Sequence, residues 1–114
     1  MTELKTETEF RSVVNEQPGA LVCFHSTRSA YSRRTIQVLS ELAAEFPAVK
    51  FCAFDADPEP AQPLLAEQHV VALPTVIYFR HGQPSVCFVG ERTNSSWQKI
   101  LTSVFTAQSP GGAK

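Results

Sequence analysis

An uncharged strand leading straight into a long amphipathic helix is the feature that most constrains this chain. Residues 20–25, Ala-Leu-Val-Cys-Phe-His, contain no Asp, Glu, Lys or Arg, so a strand built from them must be covered on both faces. Pro18 and Gly19 precede the run. They end a first helix, Glu7 to Gln17, in which Phe10, Val13 and Val14 fall at helical spacing. A second helix is predicted from Ala30 to Phe46. Its buried stripe is Ile36, Leu39, Ala43 and Phe46, with Arg33, Gln37 and Glu41 toward water. Pro47 closes it.

The pattern then repeats. Val49 to Asp55 is another apolar strand, followed by a loop rich in Asp and Pro up to Pro60. Pro63 suits the first turn of a short third helix ending near His69. Thr75 to Phe79 and Ser85 to Val89 read as strands joined through Arg80-His81-Gly82-Gln83, with Gly90 ending the pairing. Asn94 or Ser95 is expected to cap a last helix whose apolar face is Trp97, Ile100, Leu101 and Val104. Residues 2–5 carry a fainter signal for a short first strand. Strands alternating with helices call for parallel pairing through right-handed crossovers, and the final hairpin adds antiparallel strands. The fold class is α/β: a three-layer sandwich with a mixed central sheet flanked by helices. Residues 1–108 form a single domain, and residues 109–114 have the composition of a flexible tail.

Bulk properties exclude several classes of function. Ten basic and eleven acidic side chains give a net charge of −1 over 114 residues, which offers no global attraction for nucleic acid or an anionic membrane. No apolar stretch approaches the roughly 20 residues that cross a bilayer. The first residues lack the basic and apolar regions of a signal peptide, so an intracellular, cytoplasmic location is expected. Cys23, Cys52 and Cys87 are odd in number and widely spaced, so no disulfide framework, zinc module or other metal site is suggested, and no cofactor is expected. All three lie in apolar strands and read as buried free thiols. His25, His69 and His81 are scattered.

Several point features, in order and at compatible spacing, resemble the thioredoxin family from about Thr6 to Phe105. Phe24 matches an aromatic core position in the strand before the motif. Leu73-Pro74-Thr75 matches the cis-proline tripeptide, Phe79 and Gly82 the last hairpin, and Val89-Gly90 the glycine beside the substrate groove. The resemblance implies a thioredoxin-like fold with its chemistry at the turn between the strand 20–25 and the second helix. That turn reads Ser29-Ala30-Tyr31-Ser32, so serine stands at both positions where the family carries Cys-x-x-Cys.

A serine hydroxyl cannot form or exchange a disulfide, and Ser29 is most simply a helix N-cap. The departures extend further. Arg28 stands where the family usually has tryptophan, Tyr31 where it has proline, and His25 where a second tryptophan follows the core phenylalanine. Cys23 stands where many members have a buried aspartate, and Ala53 matches its lysine. The resemblance therefore implies a redox-inactive thioredoxin-fold protein that binds a protein or extended peptide, as adaptor, assembly factor or chaperone component. The alternative is a thiol-disulfide oxidoreductase with its two active-site cysteines changed to serine; cysteine at native positions 29 and 32 would make it a protein disulfide reductase. A third reading places the interface elsewhere, in a homodimer.

Pairing of an extended peptide beside the cis-proline uses main-chain groups and needs no sulfur. The expected groove is Arg28, Tyr31, Ala72, Leu73, Pro74 and Gly90. Arg28, Arg33 and Arg34 cluster at a helix start, where positive charge opposes the helix dipole. They form a candidate patch for an acidic peptide or another anion.

Overall fold

The computed structural model describes residues 1–108; the tail expected at 109–114 lies outside the described residues. In chain order the elements are β1 (Thr2–Leu4), α1 (Glu7–Glu16), β2 (Gly19–His25), α2 (Ala30–Leu42), β3 (Lys50–Asp55), α3 (Gln62–Glu67), β4 (Thr75–Arg80), β5 (Gln83–Val89) and α4 (Asn94–Gln108). One-turn 3₁₀ segments at Ala43–Glu45 and Glu59–Ala61 continue α2 and precede α3. The strands form one sheet ordered β1-β3-β2-β4-β5. β1, β3 and β2 run parallel, while β4 and β5 are antiparallel to their neighbours. The α/β sandwich expected from the sequence is thus the observed architecture.

β2 is the centre of the sheet and is buried along its whole length. Its side chains alternate between two cores, as the two-residue period of a strand requires. Ala20, Val22 and Phe24 face α1 and α3, where they meet Phe10, Val14, Phe54, Leu64, Ile77 and Phe79. Leu21 and Cys23 face α2 and α4, against Leu39, Phe51, Val76, Tyr78, Trp97 and Leu101. Phe10 is the hub of the first core, with its ring 5.9 Å from Phe24 and 5.3 Å from Phe79.

Helix starts are fixed locally. Thr6 caps α1 by accepting from the Glu9 N–H at 3.1 Å, and Glu9 reaches back to the Lys5 N–H at 2.6 Å. The cap of α4 is Thr93, which accepts from the Ser96 N–H at 3.1 Å. Neither Asn94 nor Ser95 fills that role, because both are already inside the helix.

The buried stripe of α2 also differs from expectation. Ser32, Thr35, Leu39 and Leu42 are its buried residues, while Ile36, Ala43 and Phe46 are half-buried. Two hydroxyls can occupy this stripe because both have backbone partners: Thr35 donates to the Tyr31 carbonyl at 2.9 Å, and Ser32 accepts a backbone N–H. The cysteine expectation needs correction at one position. Cys23 and Cys52 are buried, but Cys87 is exposed, because β5 is an edge strand.

Candidate functional site

The C-terminal end of β2 opens into a turn that closes on itself through hydrogen bonds. Ser29 caps α2: its Oγ accepts from the Ser32 N–H at 3.2 Å. Ser32 is fully buried, and its Oγ accepts from the Ser26 N–H at 3.2 Å. Ser26 Oγ accepts from the Arg28 N–H at 3.2 Å. Both motif serines therefore act as acceptors for backbone donors that the strand-to-helix turn leaves unpaired. No group placed to activate either hydroxyl as a nucleophile lies in this circuit.

A residue the sequence reading did not single out holds the turn from outside. Asp57, in the loop after β3, accepts from the Thr27 N–H at 3.1 Å and from the Thr27 hydroxyl at 3.0 Å. A hydrogen bond from Ser26, followed by those from Thr27, holds the Asp57 carboxyl below its usual pKa. In the sequence, Asp57 is marked only by its place in the loop rich in Asp and Pro at residues 55–60. His25 ends β2 in a buried position, with its Nε2 3.6 Å from Glu3 Oε2 and no hydrogen-bond partner. Two thiols lie in the strands behind the turn, Cys23 in β2 and Cys52 in β3, and both are buried. Burial, with the Glu3 charge as a smaller cause, pushes Cys23 up to about 12, and burial pushes Cys52 up to about 11.

The expected groove residues fall into two adjoining depressions that share Leu73. One, of about 360 Å³, is lined by Tyr31, Leu73, Pro74, Gly90 and Glu91. The other, of about 290 Å³, includes Arg28, Asp57, Val71, Ala72 and Leu73. Pro74 is buried, and the Leu73–Pro74 bond is cis. Its carbonyl accepts the Gly90 N–H at 2.8 Å, and Gly90 adopts φ +94°. Tyr31 is 60% exposed and Val71 94% exposed, so large apolar groups stand open to water on both depressions. Val71 and Glu91 line these depressions beside the expected groove residues.

The three arginines do not form a free cationic patch. Arg34 is held by Glu91 through two bonds of 2.5 and 3.1 Å, and its guanidinium lies 5.3 Å from the centre of the Tyr31 ring. Arg33 donates to the Thr27 carbonyl at 3.2 Å. Arg28 has the loosest tie, 3.5 Å to Asp57, and its side chain is 83% exposed. Among the described residues no group of three potential metal ligands comes together, and no helix is long and apolar enough to cross a membrane.

A mixed sheet with the order β1-β3-β2-β4-β5, a strand-to-helix turn and a cis-proline beside it define an α/β protein of the thioredoxin-like class. The thioredoxin family model matches residues 1–103, and the chain belongs to that family. No curated protein sequence matches it significantly. Similar solved structures include mitochondrial thioredoxin 3 of Saccharomyces cerevisiae in its oxidised form, at 23% identity and TM-score 0.77, covering 90% of this chain and 94% of that one. Thioredoxin O2 of Arabidopsis thaliana in its oxidised state has 21% identity and TM-score 0.80, covering 91% and 93%. Fasciola hepatica thioredoxin has 24% identity and TM-score 0.78, covering 90% and 98%. At these identities the likeness is one of fold.

Proposed function

We propose that this chain is a redox-inactive member of its family that binds an extended segment of a partner protein along Ala72-Leu73. One observation carries the reading. The turn's two serines are engaged with backbone donors, while Tyr31 and Val71 stay exposed beside the buried Pro74. Large apolar side chains open to water at a concave site favour a partner over solvent. Arg28, loosely tied at the rim, adds a preference for acidic or polar side chains in the bound segment. The partner is a protein or peptide, and neither nucleic acid nor a membrane is required.

Two measurements test this. With a dithiol reductant, the chain is expected to turn over a protein disulfide no faster than a variant lacking all three cysteines. In parallel, a panel of extended acidic and neutral peptides is titrated against wild type, Arg28→Glu and Tyr31→Ala. Tyr31→Ala is expected to weaken binding about tenfold through loss of an aromatic anchor, and Arg28→Glu to weaken acidic peptides most. Both are surface changes, so thermal stability should move by no more than about 0.5 kcal/mol. Disulfide turnover above the control would restore the oxidoreductase reading. Unchanged affinity in both variants would place the interface elsewhere.

A further inference from the structure

The two depressions that meet at Leu73 differ in the charge they leave free. In the one beside Tyr31 and Pro74, the charged lining residue is Glu91. Arg34 donates two hydrogen bonds to it, of 2.5 and 3.1 Å, and holds its carboxyl below the usual range. With that pair closed, the depression offers the apolar surface of Tyr31, Leu73 and Pro74.

The other depression combines an apolar wall of Leu65, Val70 and Val71 with three polar residues, Arg28, Asp57 and Gln62. Asp57 is already engaged. Its Oδ2 accepts from the N–H and the hydroxyl of Thr27, and its Oδ1 faces Arg28. Arg28 is not. Its guanidinium has five N–H donors, and among the described residues it makes one bond, of 3.5 Å, with the side chain exposed. This depression therefore carries a wall for a hydrocarbon stem and an open cation at its rim. Between the two depressions, no described residue bonds the N–H or the carbonyl of Leu73, so both are open to an extended main chain.

We propose, resting on the groove reading above, that the bound segment carries a glutamate seated against Val71 with its carboxylate on Arg28. An aliphatic residue two positions away sits over Tyr31 and Pro74. Side chains two apart on an extended segment point the same way and stand about 6.6 Å from each other, so a segment crossing Leu73 offers one to each depression. The two methylenes of glutamate cover apolar wall while the charged end stays at the rim. Its carboxylate matches the guanidinium fork, and the Gln62 amide adds a further donor. A lysine in the same place brings its ammonium to Arg28, and the one nearby carboxylate, Asp57, is engaged. Arg28 stands where the family usually has tryptophan, so the preference belongs to this chain and not to the shared fold.

NMR titration of the isotope-labelled chain tests this. The probes are acetylated, amidated peptides of glycine and serine with Leu-Ala-Glu or Glu-Ala-Leu at the centre, which cover both directions of the segment. In the tighter order, replacing glutamate by glutamine is expected to weaken binding to wild type about fivefold. That preference should shrink as salt is raised, and Arg28→Gln should bind the two peptides alike. Tyr31→Ala should weaken both by the same factor, because it acts at the other depression. The change made in the peptide alters no residue of the chain, so its result does not depend on the folding of a variant. Equal affinity of wild type for the glutamate and glutamine peptides, with Tyr31→Ala still weakening both, would overturn the glutamate subsite and leave the groove standing. A preference that persists in Arg28→Gln would overturn the subsite as well. Failure of every peptide to bind would remove groove and subsite together.

Discussion

Ser32→Ala is the sharpest probe of what the motif serines do. Ser32 is fully buried, and its Oγ accepts the N–H of Ser26, which is itself buried. Removing the acceptor leaves a buried donor without that partner, at a cost of about 1–3 kcal/mol. Alanine returns about 0.5 kcal/mol through its higher helix propensity. The net loss is therefore about 1.5 kcal/mol. A chain of 114 residues has an unfolding entropy near 0.24 kcal/mol/K at its midpoint, so Tm should fall by about 6 °C. Differential scanning calorimetry reads this directly. Amide hydrogen exchange at Ser26 should quicken more than exchange in the β2 core, because the lost bond is local. A Ser32→Ala protein melting at or above wild type would refute the reasoning and free the hydroxyl for a role other than structure.

Three further outcomes are expected. Ser29→Ala should cost about 1 kcal/mol through loss of the α2 cap, measured by urea denaturation. Gly90→Ala should cost about 1–2 kcal/mol through its positive φ, since an added Cβ meets no atom within 4 Å; a neutral result would show that the turn relaxes. Asp57 has a folded pKa below its ordinary value. Its contribution is fully present above the unfolded value of about 3.9 and is lost as pH falls through the lower folded value. The Tm gap between wild type and Asp57→Asn should therefore be constant near neutral pH and close below about pH 4; a gap independent of pH would show that the carboxylate's charge is irrelevant.

The sheet and its helices were legible because β2, β3 and β4 are apolar enough to demand cover on both faces, and because Pro18, Pro47 and Gly90 punctuate the elements. The two depressions that meet at Leu73 lie where Leu73-Pro74-Thr75 and Gly90 point, and the order of those residues along the chain is kept although serine occupies both motif positions. The features that an apolar pattern does not carry are polar partnerships and strand order. Ser32 and Thr35 sit in the buried stripe of α2 because backbone groups satisfy their hydroxyls, which an apolar periodicity cannot register. Asp57 reaches Thr27 across thirty positions. Cys87 has the composition of a core strand and the exposure of an edge, and only the strand order distinguishes the two.

The grip of Asp57 on Thr27 has a mechanical consequence. The lip carrying Arg28 is tied to the loop at the end of β3, so residues 26–28 and 55–58 should behave as one stiff jaw beside the cis-proline. A segment bound as proposed would press against Arg28 and meet resistance from the central sheet itself, whose neighbouring strands β2 and β3 anchor the two halves of the jaw. A site of that kind would present its shape in advance and lose little conformational entropy on binding. It would discriminate by rejecting segments that do not fit, having little freedom to mould itself around them.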